Sequence, residues 1–150
     1  MRIRFEAALA VAMIWITPGC ASRSDQEKLQ GKWRLQTMIG EFDFGLGSSK
    51  AEGPFITFMD GTFAVEYGAG SSEHKKKVNG TFTCDTTQAP KQIIFAFGNR
   101  TVVAIYDVSS NSLRICVGSQ DSVPPTDFDA GWPRFKTSRP AMLKFKRVSG

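Results

Sequence analysis

The feature that most constrains the fold of this chain is an alternation of apolar and polar residues that begins at residue 31. The alternating runs are short, and turn-forming residues interrupt them every eight to twelve positions. A period of two places successive side chains on opposite faces of a strand, and closely spaced runs of this kind are typical of antiparallel barrels and sandwiches. The chain is therefore predicted to be all-β.

The alternation predicts eight strands joined mainly by hairpins. Asp60-Gly61 is a strong hairpin signal, and Gly98-Asn99 and Ser110-Asn111 are weaker ones. Such a meander is best closed into an eight-stranded antiparallel up-and-down barrel, because closure removes the edge strands. Ser24 and Glu27 have capping-box spacing and predict a short helical turn before the barrel. The predicted strands span residues 31–38, 55–59, 62–67, 77–84, 92–97, 101–108, 112–117 and 141–147.

The first nineteen residues have the layout of an export signal. Two arginines precede the apolar run 7–16, which is too short to span a bilayer and ends at "TPGC". Acylation of Cys20, as in a bacterial lipoprotein, is the favoured outcome, although Thr17 and Pro18 depart from that pattern; cleavage after Ala21 is the alternative. We expect residues 1–19 to be a signal peptide, 20–28 a linker with the helical turn, and 29–150 the barrel domain. The protein is then exported, periplasmic or at the cell surface, and anchored to the membrane by its lipid.

Charge and cysteine content limit the partners. The formal net charge is +5, and removal of residues 1–19, which carry a net +1, leaves +4. That mild excess suits an anionic surface such as lipid headgroups or wall polymer but does not indicate nucleic-acid binding. By alternation Cys84 faces the core and Cys116 faces outward, so we expect no disulfide between them. We expect a monomer.

Few residues point to catalysis. His74 is the one histidine and lies in a lysine-rich loop, without a second histidine or a cysteine pair at metal-ligand spacing. A nucleophile with a base and an orienting group is not apparent, and the glycines of residues 40–54 are not followed by Lys-Ser/Thr as in a phosphate loop. The sequence predicts neither an enzyme nor a metal site nor a cofactor.

Two long connections are candidates for a functional rim. They span residues 40–54 and 119–140, and long ordered loops in a small domain are often functional. Trp132 and Phe135, flanked by Arg134 and Lys136, suit an aromatic and basic contact patch on this rim. The alternative is that both connections are surface loops without a function, and that Trp132 and Phe135 belong to a loop that packs over the barrel mouth.

The start and end of the barrel are predicted to meet. If the meander closes, the first and last strands pair antiparallel, so Trp33 and Arg147 fall at the same end of the barrel on its inner side. A guanidinium over the indole would contribute about 0.5–2 kcal/mol and close the floor of the barrel. Gly31 would let the preceding helical turn cross close beneath.

At these residues the chain resembles the lipocalin-like (calycin) barrels, whose first strand opens with Gly-x-Trp beneath a basic residue of the last strand. It is more similar still to an uncharacterised lipocalin-like domain family that is abundant in exported planctomycete proteins. The matching segments are "LQGKWRL", "GTFTCDTTQAPKQIIF", "IYDVSSNSLRICVG", "PPTDF" and "LKFKR", which together span residues 29–147. The resemblance implies the fold and export and carries no established activity.

The predicted barrel interior leads to two hypotheses. The first is that the barrel binds a small apolar ligand in its interior or at its mouth; the second is that the barrel is packed solid and its rim loops contact a protein or the cell wall. Besides Trp33, Ile93 and Leu143, the residues expected to line the interior are Leu35, Phe63, Val65, Tyr67, Phe82, Phe95, Phe97, Leu113, Ile115 and Phe145.

Overall fold

The computed structural model describes residues 21–40, 42, 54–66, 77–118, 122–128 and 140–149. The predicted signal peptide, Cys20, Tyr67, His74, Trp132 and Phe135 lie outside these residues. Within them no helix is both long and apolar enough to cross a bilayer.

The described chain is one helix followed by eight strands, which confirms the predicted fold class. Each strand boundary lies within one residue of the predicted one. The predicted helical turn before the barrel is confirmed as the helix α1, but α1 begins three residues before Ser24, so Ser24 is not at its N-terminus as predicted. The elements are α1 Ala21–Leu29, β1 Gly31–Ile39, β2 Phe55–Met59, β3 Thr62–Glu66, β4 Lys77–Asp85, β5 Gln92–Phe97, β6 Arg100–Val108, β7 Ser112–Val117 and β8 Ala141–Arg147.

The strands form a closed antiparallel barrel in sequence order. Every strand pairs with its sequence neighbours, and β1 pairs with β8 to close the ring. The hairpin between β2 and β3 turns at Asp60 and Gly61, whose φ angles of 47° and 80° are both positive. This is the conformation that the two-residue Asp-Gly turn requires, so the hairpin signal of the sequence is confirmed.

An up-and-down barrel has two distinct ends. At one end, which we call the floor, α1 leads into β1 and the hairpins after β2, β4 and β6 turn. At the other end, which we call the mouth, the connections after β1, β3, β5 and β7 begin. Both long connections predicted to be functional, 40–54 and 119–140, therefore start and finish at the mouth.

A β-bulge in β1 changes which side chains face inward at the mouth. Leu35 pairs with Phe145, but the register shifts before Thr37 pairs with Lys144. Met38 is therefore opposite the buried Leu143 and is on the inner face of the wall. Without the bulge, the alternation that puts Trp33 and Leu35 inside would put Met38 outside.

The cysteines lie on opposite faces of the wall, as alternation predicts. Cys84 is the cross-strand partner of Ile93, which in turn pairs with Ala104, and both of these residues belong to the core. Cys116 is opposite Ile105 on β6 and alternates with core residues of β7, so it is on the outer face. Both thiols are free.

Phenylalanine rings fill much of the barrel interior. Phe58 and Phe82 meet edge to face with their ring centres 4.9 Å apart, and Phe63 and Phe95 do so at 5.0 Å. Such edge-to-face pairs are favourable beyond the apolar area that they bury. Gly80 makes room for one of these rings, because a methyl group there would clash with the Ala96 carbonyl oxygen and lie 2.6 Å from Phe63 Cε1.

We predict that Gly80→Ala lowers the free energy of unfolding by about 1–3 kcal/mol, because the added methyl overpacks the interior. Chemical denaturation monitored by tryptophan fluorescence measures this change. The control is Thr81→Val, at an exposed neighbouring position of β4, which should change stability by less than about 0.5 kcal/mol. Equal stability of Gly80→Ala and the parent chain would contradict the packing described here.

Candidate functional site

The floor of the barrel is closed by Arg147 and Trp33, the pair predicted from the sequence. The two residues are cross-strand partners, and the Arg147 guanidinium carbon lies 4.2 Å from the centre of the indole ring. Trp33 is completely buried, and its Nε1 donates a hydrogen bond of 2.8 Å to the carbonyl of Leu29 at the end of α1. The indole therefore contacts the last strand through Arg147 and the helix through its hydrogen bond to Leu29.

Arg147 also donates to three backbone carbonyls in two separate segments of the chain. Its Nη2 donates to the carbonyl of Lys28, its Nη1 to that of Gln30 at 2.6 Å, and its Nε to that of Ser110 at 2.7 Å. The carbonyl of Lys28 lies in the last turn of α1 and that of Gln30 directly follows the helix, at the end where the helix dipole favours a cation. Gly31 has a φ of 107°, and a methyl group on it would lie 3.0 Å from Arg147 Nη1. A glycine is thus required for this approach.

A buried carboxylate fixes the helix to the opposite side of the floor. Asp25 is 2% exposed, and among the described residues it is the one charged side chain in the buried class. Lys91 Nζ lies 2.6 Å from its Oδ2, and the Tyr106 hydroxyl donates to the same oxygen at 3.1 Å. A buried charge is tolerated when it is paired and hydrogen-bonded, as this one is.

The same cluster keeps its neighbouring groups protonated. Burial raises the pKa of the Cys84 thiol to about 11, an effect that its hydrogen bond with Tyr106 partly offsets. Burial, with the nearby Cys84 and Asp25, also raises the pKa of the Tyr106 hydroxyl above its ordinary value. A neutral hydroxyl can donate to Asp25, and a neutral thiol is a poor nucleophile. Through Asp25 this cluster holds the helix to β6 and to the residue that precedes β5.

The structure buries most of the side chains that were predicted to line the interior. Leu35 is half-buried and packs against the core, and Tyr67 lies outside the described residues. The buried ones are exposed by 7% or less: Trp33, Phe63, Val65, Phe82, Ile93, Phe95, Phe97, Leu113, Ile115, Leu143 and Phe145.

Inner-facing apolar side chains at the mouth retain exposure. Met38 is on the inner face yet is 47% exposed. Val78 at the start of β4 and Phe42 just after β1 are half-buried and pack against the core, as Leu35 does. These four residues, Leu35, Met38, Phe42 and Val78, form what we call the mouth patch. It offers an exposed apolar surface at the mouth end of the described barrel.

The two long connections meet at one corner of the mouth. A methyl group on Gly40 would lie 2.8 Å from the carbonyl oxygen of Pro140, so the backbone that leaves β1 touches the backbone that enters β8. The corner between Gly40 and Pro140 therefore adjoins Met38 of the mouth patch. Elsewhere at the mouth, Arg100 at the start of β6 lies over the ring of Phe97, with its guanidinium carbon 5.3 Å from the ring centre.

Some site residues were not predicted from the sequence. Asp25 and Lys91 join Tyr106 across the floor. The alternation of β6 places Tyr106 on the inner face, but the one available signal for its partners was the four-residue spacing that puts Asp25 and Leu29 on the same helix face. Met38 was missed because of the bulge. Ile56 and Phe58, both buried, could have been found from the alternation in "FITFM". Within the described ranges, no three His, Cys, Asp or Glu side chains are grouped as a metal site would need.

We predict that Arg147→Lys lowers the free energy of unfolding by about 2–4 kcal/mol, because a lysine cannot reach three carbonyls and cover the indole together. The neighbouring reverse substitution Lys146→Arg, at an exposed position, should change it by less than about 0.5 kcal/mol. Urea denaturation of both variants checks this. Equal midpoints for the two variants would show that the floor does not depend on the guanidinium.

We also predict that Cys84 reacts slowly with iodoacetamide. At about pH 8 the raised pKa leaves roughly 100-fold less thiolate than in the unfolded chain, and the reaction proceeds through the thiolate. Peptide mapping by mass spectrometry reads the labelling of Cys84 separately from the other cysteines, with the guanidinium-unfolded chain as the control. Native and unfolded rates within about tenfold of each other would contradict the environment described for this thiol.

Comparisons of this chain with protein-family models, with curated proteins and with solved structures found no match. The residues of the floor and the mouth are accordingly what a functional proposal can draw on.

Proposed function

We propose that this chain is an exported, lipocalin-like lipoprotein that binds a small apolar ligand at the mouth of its barrel. The observation that carries the proposal is the exposure of Met38, an inner-facing side chain that is 47% exposed while its cross-strand partner Leu143 is buried. Large apolar side chains on the inner face of a barrel are ordinarily buried, and an exposed one at the mouth offers a contact for a ligand.

The filled interior supports a ligand at the mouth and not deep in the barrel. Phe58, Phe82, Phe63 and Phe95 meet in edge contacts across the interior, and the floor below is sealed by Trp33. An eight-stranded barrel has room for its own side chains or for one small ligand. A ligand is therefore proposed to rest on the mouth patch and above these rings.

The ligand class follows from the chemistry of the mouth patch. Its four members are apolar, and two of them, Met38 and Phe42, combine a flexible thioether with an aromatic ring. Methionine adapts its shape to irregular apolar partners, and covering such a side chain with ligand contributes up to about 1.5–3 kcal/mol. A small hydrocarbon-rich molecule fits this surface better than a sugar or a nucleotide. We propose that such a ligand is bound and released unchanged.

The export signal and the barrel are close together in the chain. Helix α1 begins at Ala21, one residue after the proposed acylation site at Cys20. A lipid on Cys20 would then attach next to the helix that closes the floor. Cleavage after Ala21 stays the alternative processing outcome and would release the barrel from the membrane.

A second candidate function is contact with a protein or the cell wall through the rim. It is favoured by the segment 122–128, which packs on the outer wall: the Arg114 guanidinium carbon lies 4.6 Å from the centre of the Phe128 ring. Arg114 is itself paired with Asp107 at 2.8 Å. This contact fixes the connection four positions before Trp132. On this alternative, Trp132→Ala with Phe135→Ala would abolish partner capture without unfolding the barrel.

The test is titration with the apolar fluorescent probe N-phenyl-1-naphthylamine. Met38→Gln puts a polar group of similar length into the mouth patch and should weaken probe binding about tenfold, equivalent to about 1.4 kcal/mol. The control is Met59→Gln, the same substitution at a methionine that is 61% exposed and lies at the floor end. It should leave probe binding within about twofold of the parent.

Two results would count against the proposal. If the parent chain does not bind the probe, the rim alternative becomes the better reading. If Met38→Gln and Met59→Gln weaken binding equally, the probe binds exposed methionine in general and not the mouth.

A further inference from the structure

The two strands that close the barrel carry basic and no acidic side chains. β1 reads "GKWRLQTMI" and β8 reads "AMLKFKR". Four of their cations alternate with core residues and are exposed on the outer wall. We call this surface the basic face; its members are Lys32 and Arg34 on β1 and Lys144 and Lys146 on β8.

Charges of the same sign are directly opposed on this surface. Arg34 is the cross-strand partner of Lys146, and Lys144 is the partner of Arg114 on β7. Like charges in directly opposed positions destabilise a sheet. The arrangement is therefore unfavourable for folding, and stability does not account for it.

Acidic neighbours offset only the edges of the basic face. Asp107 pairs with Arg114 at 2.8 Å, and Glu66 lies 3.9 Å from Lys32. In the part of the chain that the structure describes, Arg34, Lys144 and Lys146 have no acidic partner within 4.0 Å. The centre of the face thus presents unneutralised positive charge, and its complement is an anionic partner.

The mouth end of the basic face is apolar. Ile39 and Met142 are cross-strand partners on the same outer side, two residues along from the pair of Thr37 and Lys144. Ile39 is 37% exposed, and the adjacent Met38 is 47% exposed. Basic side chains beside exposed apolar ones suit the interface of a bilayer, where phosphates lie above acyl chains. A soluble polyanion would make no use of Ile39.

We propose that the basic face, with Ile39 and Met142 at its mouth end, docks the barrel on an anionic phospholipid bilayer. The lysines and arginine lie against the lipid phosphates, and the apolar pair reaches toward the acyl region. Docked this way, the mouth opens beside the lipid. The contact is separate from any lipid on Cys20 and does not depend on a ligand at the mouth.

The test is cosedimentation of the full chain carrying Cys20→Ser with phosphatidylcholine vesicles, with or without about 30 mol % phosphatidylglycerol. The quantity measured is the ratio of the partition coefficient on the anionic vesicles to that on pure phosphatidylcholine vesicles. The N-terminal apolar segment is the same in every variant, so a difference in this ratio between variants reports the substitution and not that segment. Arg34→Gln with Lys146→Gln should lower this ratio about 30-fold, since each cation near an anionic surface favours binding about fivefold.

The matched control is Lys28→Gln with Lys77→Gln, which removes the same net charge from α1 and β4. Its ratio should fall by no more than about threefold. The charge-preserving exchange Arg34→Lys with Lys146→Arg should keep the parent ratio. Ile39→Gln should weaken binding to the anionic vesicles and leave binding to a soluble polyanion such as polyphosphate unchanged.

Stability separates docking from a structural role. Because Arg34→Gln with Lys146→Gln removes opposed like charges, its midpoint in urea should equal or exceed that of the parent. Three results would overturn the proposal: an unchanged vesicle ratio in this variant, an equal fall in the control, or a fall that the charge-preserving exchange reproduces. No effect of Ile39→Gln on the vesicles would overturn the assignment to lipid.

Discussion

One guanidinium group joins the helix to the seam where this barrel closes. Arg147 covers the indole of Trp33 and donates to carbonyls of α1, of the residue that precedes β1 and of the β6–β7 hairpin. These contacts join the first strand, the last strand and the helix at a single point. Without them β8 would still pair with β1, but α1 would lose its hold on that side of the floor. The completely buried Trp33 would then be open to water.

The helix has a second attachment across the floor, so it is held to the barrel on two sides. Asp25 pairs with Lys91 and accepts from Tyr106, so α1 is held to β5 and β6 as well as to β1 and β8. Removing one partner of a buried, paired charge lowers the free energy of unfolding by several kcal/mol. The buried side-chain hydrogen bonds of Trp33 and Tyr106 both lie at the floor. The mouth, in contrast, keeps apolar side chains partly uncovered, and this contrast is why function is proposed at that end.

Much of the fold could be predicted because each of its causes is local in the sequence. The alternation of apolar and polar residues predicted the strands. Asp60-Gly61 predicted a hairpin whose turn has positive φ angles, which few other residue types adopt readily. The pairing of Trp33 with Arg147 followed once the meander was assumed to close. The bulge in β1 has no comparable signal, since one extra residue reverses the alternation and sends Met38 to the inner face. The burial of Asp25 depends on Lys91 and Tyr106, which are far away in the sequence, so no local pattern indicates it.

We propose that this barrel, sealed at the floor, binds a small apolar molecule at its mouth, and native mass spectrometry tests this binding most directly. The chain is purified without detergent and weighed first under native and then under denaturing conditions. The account predicts a reproducible extra mass on the native protein that is lost on denaturation, together with a Met38→Gln variant that carries less of it. A native mass equal to that of the polypeptide, unchanged after incubation with a cell lipid extract, would contradict the claim.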